Sequence, residues 1–191
     1  MSSALSAAAW EALYAPYDQP TYQTVLELLK PEDVVVDIGA GDLRFSRQMA
    51  RITRKVYAVE MNVEVLQRGL AGHDPLADNL LPICADARML DFPPETTVGV
   101  LLMRHCTHFR SYWEKLRRVG AGRLITNARW HMSVESINLQ AERSSFHAAD
   151  MGWYACLCGA TGFRAGPVEQ WSDALDRVTH EVSDCPQCRQ I

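Results

Sequence analysis

An unbroken apolar run, Val34-Val35-Val36, passes through Asp37-Ile38 into Gly39-Ala40-Gly41. β-Branched residues without polar alternation predict a strand buried on both faces, as in a parallel sheet, and glycines at its carboxyl end predict a tight turn at positive φ. Upstream, Ser2 to Ala15 has helical spacing, Pro16 breaks it, and a second helix begins near Pro20 and carries Val25, Leu26, Leu28 and Leu29 as far as Lys30-Pro31. Downstream, Phe45, Met49 and Ile52 recur at helical spacing, with Arg44, Arg47, Arg51 and Arg54 on the other face. Lys55 to Glu60 reads as a second strand, Asn62 as the N-cap of a helix with Val63, Leu66 and Leu70, and Leu80 to Ala85 as a third strand. Val98 to Met103 and Arg123 to Asn127 read as further strands, and Tyr112 to Val119 and Val134 to Arg143 as helices.

Repeated βα units of this kind imply an α/β fold, a doubly wound and mostly parallel sheet. Beyond Ser144 the composition shifts toward Gly, Cys and aromatics. There Gly162 to Val168 and Arg177 to Ser183 read as two strands, expected to pair antiparallel and close the sheet. One domain spans 1–191, with a helical N-terminal cap over 1–30 and a distinct C-terminal region over 150–191.

Composition narrows the function classes. A chain of 191 residues that is 48% hydrophobic and 22% charged is large enough to bury its own core. A formal charge of -4 provides no global field for nucleic acid, which stays an open but unfavoured partner. Met1 to Ala9 has no basic leader, and no run approaches the roughly 18 apolar residues that span a bilayer, so a cytoplasmic location is expected and no membrane partner. In that compartment cysteines stay reduced, and clustered ones read as metal ligands or reactive thiols.

The glycine turn serves nicotinamide enzymes and S-adenosylmethionine (SAM) enzymes alike, so its acidic neighbours discriminate. A carboxylate at Asp37 would repel a pyrophosphate seated over a helix N-terminus. SAM has no phosphate and carries positive charge at its amino group and sulfonium. An NAD(P)-dependent oxidoreductase, which would use a GxGxxG turn, is therefore the weaker reading.

Asp37-Ile38-Gly39-Ala40-Gly41, Val56-Tyr57-Ala58-Val59-Glu60 and Cys84-Ala85-Asp86-Ala87 follow in order, separated by about 23 and about 26 residues, each one βα unit. Here the chain resembles the class I SAM-dependent methyltransferase family. The resemblance implies a Rossmann-like fold and a methyltransferase whose glycine loop, Gly39, Ala40 and Gly41 with Asp37, borders the methionine part of SAM. It implies further that Glu60 accepts bonds from the ribose hydroxyls and that Asp86, with Ala87, lies near the adenine amino group. Carboxylates suit both tasks because they only accept hydrogen bonds, and Met61 offers an apolar contact to the adenine face. Where the family places a third glycine this chain has Leu43, whose side chain favours ordinary φ, so the helix is expected to start earlier. The chain also resembles ribosomal RNA adenine dimethyltransferases, but their Asn-x-Pro-aromatic motif is replaced by Met103-Arg104-His105-Cys106-Thr107-His108, which argues against an adenine N6 acceptor.

Methyl transfer from a sulfonium needs alignment and, for some nucleophiles, removal of a proton. His105 and His108, past the fourth strand, are the candidate catalytic bases, and Arg104 beside them is grouped with the cofactor-binding residues. The methyl acceptor is left open, a small molecule or protein being favoured over RNA. Tyr14, Tyr17, Asp18 and Tyr22 form an aromatic segment that either covers the cofactor or packs the N-terminal helix.

Cys156-Leu157-Cys158-Gly159 and Cys185-Pro186-Gln187-Cys188 are two close pairs about 26 residues apart and resemble the knuckles of a zinc ribbon. Cys156, Cys158, Cys185 and Cys188 would hold a structural zinc, with His147 and His180 as substitute ligands of lower rank. A non-enzymatic SAM-binding domain whose zinc knuckles bind a macromolecule is the remaining alternative.

Overall fold

The structure is a computed structural model and describes residues 18–72, 75–104, 106–130 and 133–188. Helix α1 (Gln19–Leu28) starts where the Asp18 carboxylate accepts a hydrogen bond from the Thr21 N–H, with proline inside its first turn. Its buried Tyr22 stacks on Phe45 with ring centroids 4.3 Å apart, so this tyrosine packs the helix onto the body. Tyr14 and Tyr17 lie outside the described residues.

The chain then alternates as expected: β1 (Val34–Ile38), α2 (Arg44–Ala50), β2 (Lys55–Glu60), α3 (Val63–Leu70), β3 (Leu80–Cys84), β4 (Val98–Leu101), α4 (Phe109–Arg118) and β5 (Arg123–Thr126). All five residues of β1 are buried, consistent with a strand covered on both faces. Asn62 caps α3 through its side-chain oxygen, which accepts from the Glu64 and Val65 N–H groups. The six-stranded sheet runs β3-β2-β1-β4-β5-β6, parallel throughout except for β6 (Glu135–Asn138).

That last strand corrects the helix expected over Val134 to Arg143. Only about eight residues link β5 to β6, too few for a crossover to a parallel neighbour, so the chain turns back and pairs antiparallel. Ile137 and Leu139 are then buried on one face while Ser136, Asn138 and Gln140 are exposed.

The C-terminal strands do not close the main sheet either. β7 (Gly152–Cys156), β8 (Thr161–Arg164) and β9 (Thr179–Val182) form a separate three-stranded sheet in the order β8-β7-β9. β8 pairs antiparallel with β7 and β9 pairs parallel with it, so the two expected strands flank a third and never meet. Among the described residues no helix is long and apolar enough to cross a membrane.

The two sheets are joined by a buried ion cluster. Arg129, 1% exposed, donates to Glu135 on β6 through Nε and Nη2 at 2.8 and 2.6 Å, and to Glu181 on β9 through Nη1 and Nη2 at 2.8 and 2.7 Å. Arg143 adds a contact to Glu181 at 3.2 Å. Two carboxylates satisfying one guanidinium is the arrangement that burying the charge demands.

Candidate functional site

The carboxyl ends of β1 and β2 sit side by side, Ile38 in register with Val59, which brings the glycine turn against Glu60. Gly39 and Gly41 have φ of 79° and 60°, and a Cβ on Gly39 would lie 3.1 Å from the Met103 methyl carbon. Only glycine fits there, by backbone angle and by space. The turn is tied down by Gly39 and Ala40 N–H groups donating to the Val59 carbonyl at 2.9 and 3.0 Å.

Glu60, 6% exposed, is held by two backbone donors, Gly41 N–H to Oε2 at 3.0 Å and Asn62 N–H to Oε1 at 2.7 Å. Each oxygen keeps a second lone pair, which is the acceptor capacity a vicinal diol requires. Asp37 is fully enclosed and accepts the Ser46 hydroxyl at 2.6 Å. Burial pushes its carboxyl up to about 7, with the nearby Glu60 charge adding to the rise against the Ser46 bond. Asp42, next in the turn, is paired with Arg44 through Nε at 2.8 Å to both of its oxygens.

Leu43 overturns one expectation. It occupies the left-handed region at φ 64°, immediately before α2, and its side chain is wholly buried. The helix does not start early. Instead the leucine bears the backbone strain of the missing glycine, and its burial in the apolar core offsets it. The close approach that a glycine would give is supplied from the other side, since a Cβ on Gly69 would fall 2.3 Å from the Asp42 carbonyl oxygen.

The other residues expected at the cofactor site follow β2 and β3. Met61 is 64% exposed and Ala87 is buried. Asp86 is gripped by Arg88, whose Nε lies 2.9 Å from both carboxylate oxygens and whose N–H donates to Oδ1 at 2.9 Å. The Arg88 bonds hold the Asp86 carboxyl below its usual value. Arg88 Nη1 also lies 3.4 Å from His108 Nε2. Arg88 was not singled out from sequence; its spacing of two from Asp86 is the signal that carried it. His105 lies outside the described residues.

Past β4 and β5 the chain borders a cavity of about 440 Å³. Arg104, Cys106 and Thr107 form one wall, Ala128 and Arg129 another, and Cys158 to Thr161 with Gln187 the third. Arg104 thus faces this cavity. Burial pushes the Cys106 thiol up, which leaves it a wall residue rather than an activated nucleophile. Nearby basic residues belong to the α4 surface: Arg110 pairs with Glu114 at 2.8 Å and Arg117 lies 4.8 Å over the Trp113 ring.

The four cysteines converge because β7 and β9 are parallel, which places Cys156 and Cys185 at the same end of the small sheet. The contacts Cys156 to Cys188, Cys158 to Cys185 and Cys185 to Cys188 measure 3.5, 3.7 and 3.7 Å, and all four sulfurs lie within 4.8 Å of one another. A tetrahedral zinc with bonds of about 2.3 Å needs sulfurs about 3.8 Å apart, so the donor set fits a closed site. His147 and His180 do not join the cluster. Burial pushes the Cys156 and Cys158 thiols up, Cys158 to about 11, so a cation is needed to hold this set as thiolates. The first knuckle turns at Gly159, φ 94°, where a Cβ would meet Phe109 at 3.1 Å.

No family model and no curated protein matches the sequence. Solved structures match the fold. The complex of DhpI with S-adenosylhomocysteine shares 18% identity at a TM-score of 0.51, over 63% of this chain and 62% of that one. Precorrin 8w decarboxylase of Methanobacterium thermoautotrophicum shares 23% identity at 0.50, over 59% and 63%, and YcgJ of Bacillus subtilis 18% at 0.50, over 57% and 50%. The chain therefore spans about half to 63% of the length of these proteins. At such identities the likeness is one of fold: the chain has the mixed α/β, mostly parallel architecture of the class I SAM-dependent methyltransferases. The small sheet with its cysteine cluster stands beside that architecture.

Proposed function

We propose that the chain is a SAM-dependent methyltransferase carrying a structural zinc ion. The observation that supports it most is Glu60, a buried carboxylate fixed by the N–H of the glycine turn at the carboxyl edge of a parallel sheet. The Gly39, Ala40 and Gly41 N–H groups of the turn already donate to the Val59 carbonyl and to Glu60, which leaves none of them to cradle a pyrophosphate. In this reading Gly39, Ala40, Gly41 and Asp37 line the methionine part of SAM, Glu60 holds the ribose, and Met61, Asp86 and Ala87 border the adenine. SAM supplies a methyl group already activated by its sulfonium. The chain's own contribution is alignment, since the Gly39, Ala40 and Gly41 N–H groups and Glu60 are held by hydrogen bonds before any ligand arrives.

Where the acceptor must lose a proton, His108, whose Nε2 lies 3.4 Å from Arg88, is the candidate base. An adenine N6 acceptor is opposed by the segment after β4. A small molecule or a protein side chain is favoured over RNA, in keeping with the acidic balance of the chain. Cys156, Cys158, Cys185 and Cys188 hold zinc as a closed tetrathiolate, with no position left to activate water.

Isothermal titration with S-adenosylhomocysteine tests the reading. Binding to the wild type is expected, and Glu60→Ala should weaken it by about 100-fold through loss of two charge-assisted bonds. A wild-type chain that binds NAD(H) and not S-adenosylhomocysteine would end it.

A further inference from the structure

The cysteine knuckles are more than a staple of the C-terminal region. The cavity of about 440 Å³ past β4 and β5 has two walls in the six-stranded sheet and its third in the knuckles, through Cys158, Thr161 and Gln187. We propose that this cavity is the methyl-acceptor site, that the metal-bound knuckles form its outer wall, and that it takes a polar small molecule rather than a segment of protein or nucleic acid. The proposal rests on the methyltransferase reading and deepens it.

Position is the first argument. Met103, two residues past the end of β4, touches the glycine turn where a Cβ on Gly39 would meet it at 3.1 Å. The next residue, Arg104, already lines the cavity. The cavity thus opens one residue beyond the cofactor loop, along the same carboxyl edge where a doubly wound sheet gathers its ligands.

Size and chemistry give the class of acceptor. A volume of about 440 Å³ is that of a metabolite site. The lining offers the Thr107 and Thr161 hydroxyls, the Gln187 amide and the Arg104 guanidinium, against apolar patches at Cys106, Ala128 and Ala160. Among the described residues no carboxylate lines it, so the surface favours a ligand rich in hydrogen-bond-accepting oxygens. The chain's charge of -4 gives no overall field toward a polynucleotide, and Arg110 on α4 is paired with Glu114.

The knuckle wall is held in register by three contacts that have no role in binding metal. Gly159 rests on Phe109, the first residue of α4, with room for no side chain between them. Arg129, whose residue forms part of the second wall, fastens β9 to β6 through Glu181 and Glu135. The Thr161 hydroxyl reaches the Arg129 carbonyl at 3.5 Å, closing the seam between the two sheets inside the cavity. Loading the metal therefore sets the shape of the acceptor site while the glycine turn, whose hydrogen bonds run to Val59 and Glu60 of β2, is untouched.

Two readouts test this on the zinc-loaded full chain. In a Cys84→Ser background Cys106 is the remaining thiol outside the metal cluster, and its alkylation by iodoacetamide, mapped by peptide mass spectrometry, reports access to the cavity. Gln187→Trp, filling the cavity from the knuckle side, should slow that alkylation about tenfold or more with zinc content and S-adenosylhomocysteine affinity unchanged. An unchanged rate would remove the knuckle from the cavity wall and overturn the proposal. The second readout supplies radiolabelled SAM with a deproteinised metabolite extract, total RNA or total protein of the source organism. Label is expected in the metabolite pool, and lost with Gln187→Trp. Label in RNA or protein, label in no pool, or full transfer by Gln187→Trp would each overturn it. Failure of the wild type to bind S-adenosylhomocysteine would instead strike the methyltransferase reading beneath it.

Discussion

The glycine turn and the cysteine cluster are both built at the carboxyl ends of two parallel strands, β1 with β2 and β7 with β9, yet they are stable for opposite reasons. The turn is complete in itself. Its N–H groups find the Val59 carbonyl and the Glu60 carboxylate, and its neighbours are core residues. The cluster is four thiols crowded within 4.8 Å, two of them pushed toward the neutral form by burial, and it becomes a strong structural element only around a cation. In the proposed reading, one site is preformed before its ligand arrives and the other is completed by its metal.

Metal removal should therefore separate the two regions most sharply. Chelation, or Cys156→Ser, is expected to remove about one zinc per chain and release 150–188 to limited proteolysis, a loss on the scale of a structural zinc site, on the order of 10 kcal/mol in small metallodomains. S-Adenosylhomocysteine affinity should stay within about twofold, since the turn has no bond to the small sheet. Metal analysis beside the titration checks both halves, and equal loss of both functions would show that the regions are one cooperative unit.

The next largest effect falls on the seam. Arg129→Met takes the shared guanidinium from the half-buried Glu135 and Glu181, of which Glu181 keeps Arg143, and should cost about 2–3 kcal/mol in urea unfolding. Replacing Glu135 and Glu181 by Gln in the same chain should recover part of that loss, because the penalty lies in the orphaned charges.

The glycine turn carries its own pH signature. The Asp37 carboxyl sits at about 7 in the folded chain and at its ordinary 3.8 when unfolded, so between those values the folded chain holds a proton the unfolded chain has released. Stability then falls as pH rises across that window, by up to about 1.4 kcal/mol per pH unit from this one group. Asp37→Asn should abolish that part of the slope, so its stability relative to wild type should be higher at pH 8 than at pH 4. A ratio flat with pH would show that Asp37 titrates normally.

Leu43→Gly gives the smallest effect, because two terms oppose. Relief of the left-handed strain returns about 1–2 kcal/mol, while deleting a wholly buried leucine costs about 2–5 kcal/mol. Net destabilisation of about 1–3 kcal/mol is expected, with the melting temperature as readout. A stabilised variant would mean that strain, not packing, rules the turn.

These two regions also differ in how far they could be read from the chain. β1, β2 and the cap of α3 lie where the pattern placed them, because the valine run, the turn glycines and the Asn62 cap act over a few residues. Glu60 was legible for the same reason, being the last residue of its strand. The Arg88 grip on Asp86 was not, although it spans only two residues, because a surface arginine near an aspartate is common and its geometry decides whether they meet. The segment from Val134 was misread as helix because Val134, Ile137 and Leu139 suit both periods, and only pairing with β5 chose the strand.

The cysteine pairs were rightly brought together, but by a strand that pattern did not show. Gly152–Cys156 carries no long apolar alternation and gains its place between two partners that lie later in the chain. The buried position of Arg129 has no local signal at all, since both carboxylates that hold it come from other strands.

By itself the sequence determined the βα alternation, the glycine turn with its carboxylates and the two close cysteine pairs, all features set by short-range spacing and residue chemistry. Tertiary structure decided the return of β6, the separate small sheet, the left-handed Leu43 and the cavity where the knuckles face β4 and β5. Each of those depends on which distant partner satisfies a backbone edge, a buried charge or an apolar side chain, and such a choice is made only when the whole chain has folded.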